Sequence, residues 1–259
     1  MFLADYHTHS RFSPDGRDGF AALLAAAKAA GLAELCVTDH CDISAGGSQE
    51  FPARERYKAF EEARGQNGTG VRLLLGIELG EAIFDLESAR AAAAACPYDY
   101  IIGSHHVLRG ERDFYYFQYL SEEQCHQLLA RYLAELAETA EWGGFDVLGH
   151  IDYPLRYMRR DGFAVSLLPR YEPELRALYG LLAQKGLGIE INFGKWAEPD
   201  PALFALFRQC GGEVVTVGSD AHRAGDVGRG IAQGAAICRE AGFAHIAAFE
   251  QRRVRYEKI

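Results

Sequence analysis

Basic charge is scarce in this chain: 27 lysines and arginines face 36 aspartates and glutamates, a formal net charge of −9 over 259 residues. A protein that holds nucleic acid by its phosphate backbone needs a basic face to release counterions, so that class of partner is set aside. Small phosphorylated molecules stay open, because a few placed cations suffice for them. Cysteine pairs are missing as well. The six cysteines (Cys36, Cys41, Cys96, Cys125, Cys210, Cys238) are scattered with no CxxC spacing, which predicts reduced thiols, mostly buried, in a cytoplasmic protein. No run approaches the ~18 apolar residues of a membrane span, and the N-terminus shows neither a basic n-region nor a cleavable apolar segment. The expectation is a cytoplasmic protein with no membrane partner. A compositional break is absent too, as is any repeat of the roughly 20–50-residue period of solenoids. Because α/β barrels of about 200–250 residues commonly form one domain, residues 1–259 are read as one.

Short apolar runs alternate with helical stretches. The predicted strands are "MFLADYHTH", "AELCVTDH", "VRLLLGIELG", "DYIIGSHH", "FDVLGHID", "LGIEIN" and "GEVVTVGSDAH". Between them lie "FAALLAAAKAAG", "ERYKAFEEARG", "LESARAAAAAC", "SEEQCHQLLARYLAELAETAEWGG", "LPRYEPELRALYGLLAQKG" and "PALFALFRQCGG", several ending at glycine as helices do. Ser121 and Gln124 form a predicted capping box. This βα alternation with apolar strands predicts an α/β fold, a parallel sheet covered by helices, and the regular series of strands favours closure into a barrel. Segments 41–56 and 107–120 look too polar or too aromatic for core and are candidate lids.

Almost every predicted strand ends, on its C-terminal side, in a side chain that can hold a metal: His7 and His9, His40, Glu78, the His105/His106 pair, His150, Glu190 or Asn192, then Asp220 and His222. Of the nine histidines, only His126 and His245 fall on predicted helices. In α/β barrels that rim carries the chemistry. The i, i+2 spacing of His7/His9 and of Asp220/His222 places each pair on one side of a strand, as chelation requires. Glu78 lies in a strongly apolar run, where a carboxylate is costly unless paired or metal-bound. Taken together these residues predict a polynuclear metal site. Strand alternation allows at most one of His105 and His106 to face it.

In their order and spacing, "DYHTHS…SPDG", "VTDH", "GIELG", "GSHH", "GHIDY" and "GSDAH" resemble the PHP (polymerase and histidinol phosphatase) superfamily, most closely its histidinol-phosphate phosphatase branch. The resemblance implies a distorted (β/α)7 barrel with three divalent metals (zinc, manganese or iron) at the C-terminal ends of the strands. By motif, His7, His9, Glu78 and Asp220 would hold the first. Glu78 would bridge to a second held also by His150 and His106, the histidine of GSxH. Asp15, His40 and His222 would hold the third. The implied activity is a metal-dependent phosphomonoesterase, hydrolysing L-histidinol phosphate to histidinol and phosphate by attack of a metal-bridging hydroxide. Glu78, Asp220 and His222 are the expected catalytic residues, Asp220 or His222 either giving the leaving alkoxide its proton or orienting the acid that does.

Arg156 matches an arginine that the branch carries shortly after His150, and a guanidinium binds phosphate bidentately. "EINFGKW" is shorter than the family's loop there and offers Lys195 in place of a second arginine. Arg223 and His105 complete the expected substrate contacts. The alternatives are a related phosphoesterase acting on a nucleotide or sugar phosphate, or an amidohydrolase-like C–N hydrolase, which also uses an HxH strand.

Overall fold

The computed structural model describes residues 2–43 and 51–259. Eight strands form one parallel sheet: β1 (Ala4–Asp5), β2 (Glu34–Val37), β3 (His40–Asp42), β4 (Arg72–Gly80), β5 (Tyr100–Ser104), β6 (Val147–Leu148), β7 (Gly188–Asn192) and β8 (Val215–Gly218). β2 and β3 pair with β4 in continuous register, Val37 beside Leu75 and His40 beside Glu78, so they act as one interrupted strand. The sheet closes between its ends: Tyr6 N–H donates to Val217 O at 3.0 Å and Asp220 N–H to His7 O at 2.8 Å. The result is the expected barrel of seven strand positions.

Around it lie α1 (Phe20–Ala29), α2 (Ala53–Gly65), α3 (Leu86–Ala94), α4 (Glu122–Trp142), α5 (Tyr153–Arg160), α6 (Glu172–Lys185), α7 (Pro201–Gln209) and α8 (Ile231–Glu240). Six of these match the predicted helices. α5 and α8 are additions, because three arginines in one case and two glycine-flanked small-residue runs in the other mask the apolar period. The Ser121 hydroxyl does cap α4, accepting the Gln124 N–H at 3.1 Å, but the Gln124 side chain reaches back one residue further than a capping box, to Leu120 N–H.

Strand periodicity sorts the side chains into two cores. Leu73, Leu75, Ile101, Ile189 and Val217 pack outward beneath the helices, while Leu74, Tyr100, Ile102 and Cys36 fill the barrel interior. The same alternation carries Glu78 inward above Leu74 and Gly76. At Gly76 there is no room for a side chain: a Cβ would lie 2.6 Å from the Thr38 methyl and 2.7 Å from the Cys36 sulfur.

The N-terminal end of the barrel is sealed by a terminal hairpin, β9 (His245–Glu250) and β10 (Arg253–Lys258). Its turn, Gln251–Arg252, has both φ angles positive (49° and 63°), the two-residue hairpin geometry that matches strand twist. Asp99 accepts both backbone N–H groups and Asp146 binds the Arg252 guanidinium. Phe249 enters the inner core, and its N–H donates to the Tyr6 hydroxyl, which donates in turn to Glu34. His245, expected on a helix, opens strand β9 instead.

Segment 107–120 is not a loose cover. Leu108, Phe114 and Tyr119 are core residues. Arg160 donates to the carbonyls of Tyr115 and Phe117, and Asp161 accepts the Tyr119 N–H. Of its aromatics, Phe114 and Tyr119 anchor it in the core, while Tyr115 and Tyr116 stay exposed. Of the other predicted lid, residues 44–50 lie outside the described residues. All six cysteines are free, four of them buried.

Candidate metal centre

Glu78 is fully buried, and its carboxylate is the hub of the C-terminal mouth. Oε2 lies 2.8 Å from His40 Nδ1, 3.2 Å from His7 Nε2 and 3.5 Å from His9 Nε2. Oε1 lies 3.0 Å from His150 Nε2 and 3.1 Å from His106 Nε2, and accepts the Ser104 hydroxyl at 2.7 Å. Five imidazoles from four strand ends thus converge on one carboxylate. Asp220 faces the same cluster, Oδ1 at 3.4 Å from His9 and 3.7 Å from His7 and from His222 Nδ1. Its φ of +54° is a left-handed conformation that a non-glycine residue holds only when its surroundings fix it. His222 Nε2 lies 3.1 Å from Asp15, and Asp15 is 3.8 Å from His40.

All nine expected ligands are therefore in one place. Four groups have one ligand atom per residue within 4.8 Å of one another: His7–His9–Asp220, His7–Glu78–His150, His9–His40–His222 and His40–Asp42–His106. Asp42 is an addition to the expected set. It follows "TDH" in the sequence, but only the pairing of β3 with β4 brings it to His106, at 3.7 Å.

The residues fit divalent metals. His7 Nε2, His9 Nε2, His40 Nδ1 and Glu78 Oε2 are buried polar atoms; the three nitrogens crowd within 2.8–3.5 Å of the oxygen yet form no aligned hydrogen bond. An orphaned buried donor or acceptor costs about 1–3 kcal/mol, and several pointing at one centre make sense when ions complete them. An all-imidazole and carboxylate donor set without thiolate suits zinc, manganese or iron(II). The candidate ligands are oriented from behind, as metal-binding histidines commonly are. His7 Nδ1 lies 2.7 Å from Glu190, which also accepts the His150 N–H at 3.1 Å. Glu190 thus fixes the His7 ring, from 183 residues away in the chain, and the His150 backbone.

Electrostatics in the metal-free cluster follow from these contacts. Burial works against the charged form of Glu78, but His7, His40 and His106 outweigh it and hold its carboxyl well below the usual range. Burial likewise opposes protonation of His40, yet Glu78 and Asp42 raise it to about 9. His9 goes the other way, to about 3, through burial and the neighbouring His222 and His40. Burial lifts the Glu81 carboxyl to about 8.

The paired histidines separate cleanly. β5 turns Tyr100, Ile102 and Ser104 inward, and His106 continues that face into the mouth. His105 points outward, buried against α4, its Nε2 2.8 Å from Glu135. The expectation that His105 touches substrate is corrected: strand alternation places it on the wrong side of the barrel wall. Arg223 and Lys195 are not brought to the cluster either. Arg223 is exposed and binds Asp226 at 2.7 Å, and the Lys195 ammonium sits 4.2 Å over the Trp196 ring. Arg156 is at the site but enclosed, donating to Asn192 at 2.7 Å and to Asp220 at 3.2 Å beneath the Tyr153 ring.

A seven-position parallel barrel with histidine clusters around a shared carboxylate at its C-terminal mouth defines a barrel able to hold divalent metal ions. Residues 5–193 match the PHP domain model, and the chain belongs to that family. Histidinol-phosphatase of Lactococcus lactis is 27% identical over 262 residues, covering 96% of this chain and 95% of that protein. The crystal structure of the Lactococcus lactis histidinol phosphate phosphatase complexed with zinc, L-histidinol and phosphate superposes with a TM-score of 0.85 at 23% identity, over 98% of both chains. A barrel from Listeria monocytogenes superposes with a TM-score of 0.71 at 16% identity, over 89% of this chain and 99% of that one.

Proposed function

We propose that this chain, acting as a single domain, is a metal-dependent phosphomonoesterase that hydrolyses L-histidinol phosphate to histidinol and phosphate. The observation that carries the reading is the Glu78 hub: one buried carboxylate shared by five imidazoles, with unpartnered ring nitrogens facing its oxygens. The near-full-length likeness to the Lactococcus lactis histidinol-phosphatase supports the substrate. Three divalent ions are the proposed complement. His7, His9, Glu78 and Asp220 would hold one, Glu78, His106 and His150 a second, and Asp15, His40 and His222 a third.

Bound there, the ions would supply charge neutralisation for the phosphoryl oxygens and a water made acidic enough to attack near neutral pH. The protein's part is to position and to hold charge. Glu78, enclosed among His7, His40, His106 and His150, would be a shared ligand for the ions. Arg156 fixes a cation behind Asp220 and Asn192, where it holds the Asp220 carboxylate and adds positive potential to the phosphate side of the mouth. His222 is the more open of the pair, its side chain 30% exposed against 10% for Asp220, and delivering or orienting the proton for the departing alkoxide is assigned to these two. The Tyr153 ring packs edge-on against His106 and tilted against His150, 4.9 Å from each, and covers that wall.

A phosphate-release screen with manganese- or zinc-loaded protein tests the reading across histidinol phosphate, nucleotides and sugar phosphates. Preferred turnover of histidinol phosphate is expected. Preference for a nucleotide or sugar phosphate would reassign the substrate, and metallated protein that cleaves no monoester would refute the activity.

A further inference from the structure

Behind the metal cluster lies a second, dry assembly of charge. Arg56, on α2, is fully buried, and its guanidinium donates to Val37 O at 2.7 Å, Gly76 O at 2.8 Å and Asp39 Oδ2 at 2.5 Å. Asp39 is equally buried and accepts three further donors: Ser10 N–H at 2.6 Å, the Ser10 hydroxyl at 2.9 Å and the Ser13 hydroxyl at 3.0 Å. Ser13 is therefore the outer end of a chain anchored on an enclosed ion pair. Its oxygen also accepts the His40 N–H at 3.0 Å and lies 3.1 Å from His9 Nδ1.

Proton counting fixes the last contact. A serine hydroxyl has one proton and two lone pairs. The proton goes to Asp39, whose carboxylate can only accept. One lone pair takes the His40 N–H. The remaining lone pair faces His9 Nδ1, and two acceptors cannot bond, so that nitrogen must carry the hydrogen. His9 Nε2 is then the bare nitrogen, and it faces Glu78 and Asp220 without a partner.

We propose that Arg56, Asp39 and Ser13 are positioning residues that set the Nδ1–H tautomer of His9 and, through the same hydroxyl, the backbone of His40. His7 receives its orientation from a carboxylate directly, at 2.7 Å from Glu190. His9 receives it through a hydroxyl, with the charge one bond further away and neutralised by Arg56. One oxygen thereby locks two of the residues in the His9–His40–His222 group. The loop that holds Ser13 in place tolerates no side chain at Gly16, where a Cβ would sit 1.9 Å from Ser10 O. That loop also carries Asp15, the remaining carboxylate near His222.

The inference rests on the metal-holding reading of the cluster, and its first test does not require metal. Long-range proton–nitrogen NMR on metal-free protein reads the His9 tautomer: Nδ1–H is expected in the unmodified chain, and Nε2–H there would overturn the proposal. In Ser13→Ala the preference for Nδ1–H should vanish, and affinity for one metal of the set should fall about 10–100-fold, by elemental analysis and chelator competition. Ser13→Thr, which keeps the hydroxyl, should restore both. An unchanged tautomer and unchanged metal affinities in Ser13→Ala would refute the relay. A chain that binds no metal at all, yet shows the expected tautomer, would refute the metal reading and leave the proton assignment standing.

Discussion

Replacing Glu190 by glutamine changes one atom's chemistry in a place where the hydrogen bonds can be counted. Three donors converge on the carboxylate: His7 Nδ1 at 2.7 Å on Oε1, with the His150 N–H at 3.1 Å and the Asn192 amide at 3.0 Å on Oε2. Glutamine keeps one acceptor oxygen and gains a donor. If its oxygen serves His150 and Asn192, its NH₂ faces His7 Nδ1 and forces the hydrogen onto Nε2, the atom that must stay bare to bind metal. The flipped amide preserves His7 but leaves two donors facing an NH₂, at about 1–3 kcal/mol each. The first arrangement costs the fold less, so Glu190→Gln selects the wrong tautomer of a ligand. The expected result is a loss of about 10–100-fold in metal affinity, or about 1.4–2.7 kcal/mol, with a folded barrel. Competition against a chromogenic chelator, paired with circular dichroism, measures both. Affinity within twofold of the unmodified chain would refute the argument that second partners govern this centre.

Removing the two neighbours in GSHH should have opposite effects. His106→Ala loses metal, whereas His105→Ala keeps the full complement and is destabilised by about 1–3 kcal/mol for the lost hydrogen bond to Glu135, whose carboxylate keeps the Arg109 N–H; reversed metal contents by elemental analysis would undo the assignment. Metal uptake should strengthen with pH, because the ion must displace the proton that Glu78 holds on His40 up to about 9. For the metal-free protein the sign is opposite. A histidine whose folded pKa is raised from 6.5 to about 9 gives its full stabilisation below 6.5 and loses it as pH rises through 9. The Glu81 carboxyl, raised to about 8, works in the same direction. Calorimetry from pH 6.5 to 9 should therefore show a falling melting temperature without metal, and a rise would contradict the charge distribution. Phe249→Ala, which empties the plug of the inner core, should cost about 3–5 kcal/mol; a loss below about 1 kcal/mol in denaturant titration would mean that the hairpin does not hold the barrel's end.

Strand periodicity explains why so much of the site was legible. Leu74, Gly76 and Glu78 share one face of β4, and Tyr100, Ile102 and Ser104 one face of β5. A polar residue at the end of such a run therefore has to emerge at the mouth. Alternation limited the histidine pair to one ligand, and the spacing of the GSxH motif picked His106. What stayed hidden depends on distance in the chain or on loop shape. Asp39 reads as the middle of "TDH", yet its partner Arg56 arrives from a helix 17 residues on. Asp42 becomes a neighbour of His106 only through the β3–β4 register. Arg223 and Lys195 looked like phosphate ligands by charge and position alone, and local partners, Asp226 and the Trp196 ring, take them instead. The hairpin β9–β10 carried no signal, because its alternation is half polar and its turn uses Gln251–Arg252 where a sequence reader expects Asn–Gly.

If metal held on Glu78 lets this mouth hydrolyse a phosphomonoester, activity and bound metal must stand or fall together. Phosphate release from L-histidinol phosphate by metal-loaded protein, measured beside Glu78→Gln at matched metal concentration, tests it most directly. Turnover is expected to follow metal content and to collapse in the variant together with bound metal. Fully metallated protein that releases no phosphate, or a Glu78→Gln variant that releases it at the unmodified rate, would contradict it.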